Sequence, residues 1–95
     1  MIYNARKPPE TLTFPVVKAL KIEKNLQTLL DLQSLGIQKF TLDIGTPGSD
    51  TMVVRFETTT GPVTVYRSNV LVQLGPDSYV TYPTQEAFLA VYNIL

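Results

Sequence analysis

Apolar and polar residues alternate over much of the chain between residues 52 and 82, and this alternation predicts strands. Apolar side chains recur at every second position in four short segments, which are 52–57, 63–66, 70–74 and 78–82. Turn-forming residues separate the first two segments at Thr58–Pro62 and the last two at Gly75–Asp77. Because successive side chains of a strand point to opposite faces, the pattern predicts four strands in consecutive hairpins.

Two other segments have the period of an amphipathic helix. The first has Leu and Ile residues at helical spacing and is followed by Gly36, so it predicts a helix over residues 23–35 that ends at a left-handed glycine. The second begins after Thr84, a side chain suited to cap a helix, and places Phe88, Tyr92 and Leu95 on one stripe. This second helix is expected to run to the last residue.

The remaining segments predict further strands and a loop. Residues 1–10 contain two adjacent prolines and are expected to form an extended arm or an edge strand. Residues 11–20 are rich in β-branched side chains, and Pro15 predicts that their strand is interrupted or bent there and that it lies at a sheet edge or carries a bulge. Residues 37–44 alternate as a half-buried strand does, and residues 45–50 have the composition of an exposed loop.

Together these elements predict an α+β fold, in which a small antiparallel sheet of five to six strands packs against two helices. With 95 residues the chain is at the small end of what buries a hydrophobic core unaided. We therefore expect a single domain over residues 1–95, with residues 1–10 as an extended N-terminal arm.

The absence of two residue types restricts the chemistry. The chain has no Cys and no His, which excludes disulfides, thiolate sites, Ser–His–Asp and Cys–His catalysis and the usual zinc sites. Two loop carboxylates, Asp43 and Asp50, flank the glycine-rich loop, but two such groups make a poor metal site. We expect a protein that is not an enzyme and that has no catalytic residue, no metal site and no cofactor.

Charge and hydropathy point to association. Residues 1–39 hold six basic and three acidic residues, a net +3, and residues 40–95 hold two basic and five acidic residues, a net −3. With 44% hydrophobic and 17% charged residues and zero net charge, the surface is weakly protected against self-association, so a homo-oligomer is expected. Neither a membrane span nor the apolar core of a signal peptide is present, and the expected location is the cytoplasm.

Basic residues near the N-terminus form the first candidate binding site. Arg6 and Lys7, followed by Lys18, Lys21 and Lys24, are suited to contact phosphates. A dedicated nucleic-acid-binding protein is usually clearly basic, whereas this chain has zero net charge, so a nucleic-acid partner is not expected.

The second candidate site combines arginines and tyrosines of the predicted strands. Its members are Arg55, Arg67, Tyr66, Tyr79 and Tyr82. A tyrosine ring can stack on a nucleobase while an arginine pairs with a phosphate, so the set suits a small anionic ligand. The alternative interpretation is that the tyrosines only cover the sheet and the arginines are solvated.

Several short motifs carry a resemblance to a known group of proteins. They are Tyr3…Arg6-Lys7-Pro8, a helix that opens at Asn25, the aromatic-to-proline segment Tyr79–Pro83, and Phe88-Leu-Ala-Val-Tyr92. The chain thereby resembles small phage- or prophage-encoded proteins with an N-terminal Tyr-x-x-Lys-Pro-like arm and a C-terminal Phe-x-x-x-Tyr helix.

The resemblance implies a phage accessory protein in a bacterial cytoplasm, with no catalytic residues to transfer. Small phage proteins of this kind often counteract host defence, by blocking a host protein or by sequestering a small nucleotide signal such as a cyclic nucleotide. The alternative is a structural component of the virion or of its assembly that forms a homo-oligomer. Residues alone do not separate these functions.

Overall fold

The computed structural model describes residues 1–8 and 14–95, and these form two helices and eight strands. The elements in chain order are β1 (Ile2–Arg6), β2 (Val17–Lys21), α1 (Leu26–Ser34), β3 (Thr41–Asp43), β4 (Val53–Thr58), β5 (Gly61–Tyr66), β6 (Val70–Gly75), β7 (Ser78–Tyr82), α2 (Gln85–Leu89) and β8 (Asn93–Ile94).

The strands form two sheets. One has five strands in the order β7-β6-β2-β1-β8, and the other has three in the order β3-β4-β5. Neighbouring strands pair antiparallel in both sheets. The predicted α+β class is confirmed, and so is a five-stranded antiparallel sheet. The second sheet was not expected: the four consecutive hairpin strands divide, with β4 and β5 in the small sheet and β6 and β7 in the large one.

A central core joins the two sheets to α1. Met52, Val54 and Phe56 point into it from β4 and its start, as their alternation predicted, and each is less than 5% exposed. The ring of Phe56 meets that of Tyr79 on β7 edge to face, with 5.1 Å between the ring centroids. The other buried members are Leu20, Ile22, Leu32, Leu35, Ile37, Val65 and Leu71. The contact between the Phe56 and Tyr79 rings therefore helps to hold the three-stranded sheet against the five-stranded sheet.

A second core lies on the opposite face of the five-stranded sheet and is covered by the α2 segment. Phe88 and Tyr92 are its large members, with stacked rings 5.2 Å apart, and Tyr82 meets both rings edge to face. The sheet contributes Ala5, Val17, Ala19, Val70 and Val72. Because Leu71 belongs to the central core and its two neighbours to this one, β6 is buried on both faces.

Helix α1 has a defined cap at each end. The Asn25 side chain accepts a hydrogen bond from the Thr28 N–H at 2.9 Å. At the other end Gly36 has a φ of +92°, and the Ile37 N–H donates to the Leu32 carbonyl at 3.0 Å. This is the Schellman arrangement, and it confirms the predicted glycine stop. It also turns Ile37 into the central core beside Leu32.

The carboxylate of Asp31 on α1 is buried and ion-paired. It contacts the amino group of Met1 and accepts a hydrogen bond from the Gln27 amide at 2.8 Å. Burial by itself would raise the pKa of Asp31, but the hydrogen bonds and the charge of the Met1 amino group outweigh it and hold that pKa below 3.8. The ionised carboxylate therefore stabilises the folded chain.

The predicted C-terminal helix is too long. Thr84 caps it as expected, accepting from the Ala87 N–H at 3.1 Å, but α2 ends at Leu89. One further turn buries Tyr92, and then Asn93–Ile94 pairs with the end of β1. The backbone groups of β1 compete for this segment, so Leu95 remains 58% exposed and does not dock as the helical stripe predicted.

The strand predicted over residues 37–44 is also too long. Only Thr41–Asp43 forms a strand, and all three residues are exposed. Leu42 points inward beside Val54, but it lies at the sheet edge, where no described element covers it. The prediction of a half-buried strand is therefore wrong, because alternation does not report whether the apolar face meets a neighbour.

The N-terminal third differs from expectation in two ways. Residues 2–6 of the predicted arm form a strand within the sheet, between β2 and β8. The next strand begins at Val17, beyond Pro15, and lies between β1 and β6. The predicted interruption at Pro15 agrees with this start. The predicted edge position or bulge is wrong, since Val17–Lys21 contains no proline and pairs in regular register on both sides. The first part of the predicted strand, residues 11–13, lies outside the described residues.

Removing the Phe88 ring is expected to destabilise the fold strongly. The ring is 2% exposed and stacks on Tyr92, so Phe88→Ala should lower the free energy of unfolding by about 3–5 kcal/mol. The adjacent Leu89 is 44% exposed, and Leu89→Ala should cost less than about 1 kcal/mol. Urea denaturation followed by circular dichroism measures both values, and equal losses would contradict the assigned packing.

The ion pair of Asp31 makes a signed pH prediction. A lowered pKa contributes stability above 3.8 that is lost as the pH falls through the lower value of the folded state. The urea midpoint of the wild-type protein should therefore fall more steeply between pH 5 and pH 2, roughly the range in which carboxyl groups titrate, than that of Asp31→Asn. Glu57→Gln changes an exposed carboxylate and is the matched control. Parallel pH curves for wild type and Asp31→Asn would contradict the role of this pair.

Candidate functional site

A polar cleft of about 420 Å³ opens where the turn between β5 and β6 meets the end of β2 and the start of α1. We call it the cationic cleft, because Lys21, Lys24 and Arg67 line it. The remaining lining residues are Glu23, Asn25, Asp50 and Ser68. Its volume falls within the range of small-molecule sites in proteins.

The turn that carries Arg67 is held by backbone bonds to both sheets. The Arg67 N–H donates to the Met52 carbonyl at 2.8 Å. The Ser68 N–H donates to the Ile22 carbonyl at 2.7 Å, and the Ile22 N–H donates to the Asn69 carbonyl at 2.8 Å. The Asn69 side chain closes the turn by accepting from the Tyr66 N–H at 2.9 Å. These bonds fix the position of the backbone that carries the Arg67 side chain.

Ser68 has a strained backbone at this place. Its φ of +74° is in the left-handed region, and no other described residue except glycine has a positive φ. That conformation costs an L-residue roughly 1–2 kcal/mol. The hydrogen bonds between Ile22 and the Ser68–Asn69 turn hold Ser68 in this conformation. Backbone strain that the surrounding structure maintains in this way is common at binding sites.

Lys24 has a structural role in the cleft. Its ammonium group donates to the Ile44 carbonyl at 3.0 Å and to the Ser49 carbonyl, both in the loop between β3 and β4. A lysine ammonium has three donors, so these two bonds leave one for a ligand. Gly45 shapes the same loop: its φ is +67°, and a side chain there would lie 2.7 Å from the Ser49 hydroxyl.

Lys21 and Arg67 are the more available cations. Lys21 lies 3.7 Å from Glu23, with both side chains more than a third exposed, so the pair is weak. Arg67 is exposed and takes part in no salt bridge within residues 1–8 and 14–95. An arginine fork can bind a phosphate through two hydrogen bonds, and a nearby lysine adds charge. Together they can hold an anionic group.

The acceptors of the cleft add a second requirement. Glu23 and Asp50 lie beside the cations and would repel a ligand that carried only negative charge. Carboxylates accept hydrogen bonds from hydroxyl and amino groups, such as those of a sugar or a nucleobase. The arrangement therefore favours a ligand with both anionic and hydrogen-bond-donating groups over a simple anion.

The structure places two of the predicted site residues elsewhere, on the outer face of the small sheet. Arg55 lies opposite Thr64, and Tyr66 follows two residues further along the same strand, so the two side chains are diagonal neighbours on one face. Arg55 lines an open groove of about 480 Å³ together with Lys39, Glu57 and the inward-facing Phe56. Two members of the predicted arginine and tyrosine set thus share a face here, outside the cationic cleft.

The other two predicted tyrosines have packing contacts. Tyr79 meets Phe56 in the central core, and its hydroxyl accepts a hydrogen bond from the Gln73 amide at 3.0 Å. Tyr82 packs on Phe88 and Tyr92 in the second core. Burial raises the pKa of Tyr92, and the neighbouring Tyr82 raises it further. These contacts match the alternative interpretation, in which the tyrosines cover the sheet.

The basic pair near the N-terminus lies away from the cationic cleft. Arg6 pairs with Asn93 at the β8 edge, and the Lys7 ammonium lies 5.6 Å from the centre of the Tyr92 ring. At this end of β1, Ala5 pairs with Val17 of β2. Lys21 lies four residues further along β2, which is about 13 Å from Val17 along the strand. Arg6 and Lys7 therefore do not converge with Arg67.

Sequence reasoning missed the combination that the fold creates. Lys21 and Lys24 were expected to act with Arg6 and Lys7, and Arg67 with the tyrosines. The turn after β5 instead docks on Ile22, which brings Arg67 to the two lysines. No local pattern predicts that contact, because it joins positions more than forty residues apart.

Comparison of the chain with protein-family models, with curated proteins and with solved structures gives no match. Within the described residues no helix has the length and apolar character needed to cross a membrane. The same residues contain no group of three or more acidic side chains placed to hold a metal ion.

The strain at Ser68 makes a stability prediction. Ser68→Gly removes the left-handed penalty but adds freedom to the unfolded chain, so it should leave the free energy of unfolding within about 1 kcal/mol of wild type. Ser68→Val places a β-branched residue in a conformation it rarely adopts and should cost about 1–3 kcal/mol. Urea denaturation of both variants measures the difference, and equal stability of Gly and Val at this position would contradict it.

Proposed function

We propose that this protein is a non-enzymatic binding protein that holds a small anionic ligand in the cationic cleft. The observation that carries the proposal is the convergence of Arg67, Lys21 and one remaining donor of Lys24 on a cleft large enough for a nucleotide. The nearby carboxylates match ligand groups that donate hydrogen bonds.

A nucleotide, and a cyclic nucleotide in particular, combines these properties. Its phosphate suits the arginine fork, and its ribose hydroxyls and base amino group suit Glu23 and Asp50. None of the residues that line the cleft is aromatic, so base stacking is not part of the proposed contact. Binding would depend on hydrogen bonds and charge.

The resemblance to small phage-encoded proteins supplies the biological setting of the proposal. Such a protein, made in the cytoplasm of an infected bacterium, counteracts host defence when it sequesters a nucleotide that serves as a signal. The chain has no His and no Cys, which are common catalytic residues. This composition agrees with a protein that binds a ligand without converting it. A protein that blocks a host protein instead would use a surface contact and retain no small molecule.

Copurified ligand provides the direct test. Protein purified from phage-infected or signal-producing bacteria is denatured, and the released small molecules are identified by mass spectrometry. A nucleotide at a molar ratio near one per site is expected. A host protein in the purified complex, with no released nucleotide, would favour the protein-blocking function.

Substitutions in the cleft then locate the site. Titration with cyclic mono- and dinucleotides should show that Arg67→Ala and Lys21→Ala each weaken binding by about tenfold or more, since each removes a charge-assisted hydrogen bond. Arg55→Ala also removes an exposed arginine but lies on the outer face of the small sheet, so it should bind as wild type does. Equal loss in all three variants, or binding that none of them alters, would contradict the cleft as the site.

A further inference from the structure

We propose that the free edge of β3 pairs with β3 of a second copy of this chain, antiparallel and centred on Thr41. The edge strands of the small sheet are β3 and β5, and β3 pairs only with β4 among the described residues. An unpaired edge presents backbone donors and acceptors to a partner strand. Edge pairing between identical strands gives a two-fold, isologous contact.

Charge fixes the register of this pairing. β3 spans Thr41–Asp43, and the proposed pairing extends it by two residues to Lys39. When Thr41 then lies opposite its own copy across a two-fold axis, Lys39 of each chain lies opposite Asp43 of the other. Both residues are exposed, and Thr41 and Asp43 lie on the face of the sheet that carries Arg55. Lys39, two residues before Thr41, lines the same groove as Arg55, and continued alternation of the extended strand places it on that face. Two opposite-charge pairs therefore form across the axis, and a shift by one or two residues loses them.

Apolar residues on the inner face agree with the same register. Leu42 is 42% exposed beside the fully buried Val54, and Phe40 is half-buried against the central core. In the proposed pairing, Phe40 of each chain lies opposite Leu42 of the other. The second copy thus covers the inward-facing side chains that the sheet edge leaves open, which adds apolar burial to the backbone bonds.

The other edge strands of the described chain lack these features. β5 begins with Gly61–Pro62, and proline removes a backbone donor. β7 contains no charged residue, and β8 has only two residues. Of these edges, only β3 together with the two residues before it, Lys39 and Phe40, combines oppositely charged residues at symmetric positions with partly exposed apolar residues between them. The pairing is independent of the ligand proposed for the cationic cleft.

The experiment reverses the charge of Lys39 or Asp43 and measures the effect on the dimer. Sedimentation equilibrium of the wild-type chain over a wide concentration series should show a monomer–dimer equilibrium. Lys39→Asp places aspartates opposite each other twice, and Asp43→Lys does the same with lysines. Each single variant should therefore weaken the dimer by about tenfold or more. Circular dichroism of both variants confirms that they remain folded.

Two recombinations make the register testable. The double variant Lys39→Asp/Asp43→Lys restores both pairs with reversed sign and should form the dimer again. An equimolar mixture of the two single variants should form a heterodimer, because one chain presents two aspartates and the other two lysines at the facing positions. A wild-type chain that is monomeric at every concentration, a dimer that the single variants do not weaken, or recombinations that fail to restore it would each overturn the proposal.

Proximity across the axis gives a second readout. The chain has no cysteine, so Thr41→Cys introduces one thiol, which a short bis-maleimide should link to its copy in the dimer. Thr81→Cys on β7, also an exposed threonine on an edge strand, is the matched control and should remain unlinked. Linking through residue 81 in preference to residue 41 would place the contact on the other sheet and overturn the proposal.

Discussion

The backbone contact between Ile22 and the Ser68–Asn69 turn is the constraint on which the arrangement of this molecule depends. Its two hydrogen bonds, of 2.7 and 2.8 Å, join the end of β2 to the turn that connects β5 with β6. The chain therefore leaves the small sheet and enters the large one at a fixed point. Without this contact β4 to β7 could continue as one meander, which is the simplest arrangement of four hairpin strands.

Dividing the strands between two sheets creates the layered core. Strand β6 enters the large sheet next to β2 and is buried on both faces, with Leu71 toward the small sheet and Val70 and Val72 toward Phe88. Both faces of the large sheet must therefore be shielded from water. Helix α1 and the small sheet pack on one face, and the α2 segment packs on the other. A chain of 95 residues thereby buries two apolar clusters.

The same junction brings the functional features together. It sets Arg67 beside the lysines of β2 and of the α1 start, and it forces Ser68 into a left-handed conformation at the cleft wall. Lys24 in turn ties this region to the loop after β3. The proposed ligand site and the proposed dimer edge thus flank one loop, while different residues perform each role.

The sequence by itself determined the local elements of this protein. Alternation located β4 to β7, Gly36 marked the end of α1, and Thr84 capped α2, because caps and periodicity act within a few residues; the start of α1 was predicted at residue 23, whereas the helix begins at Leu26 after Asn25. Only the tertiary structure decided the sheet to which each strand belongs, the early end of α2 and the partners of Arg67. Those outcomes depend on contacts between distant segments, such as Ile22 with Asn69 and Ala5 with Ile94, whose free energy no local pattern records.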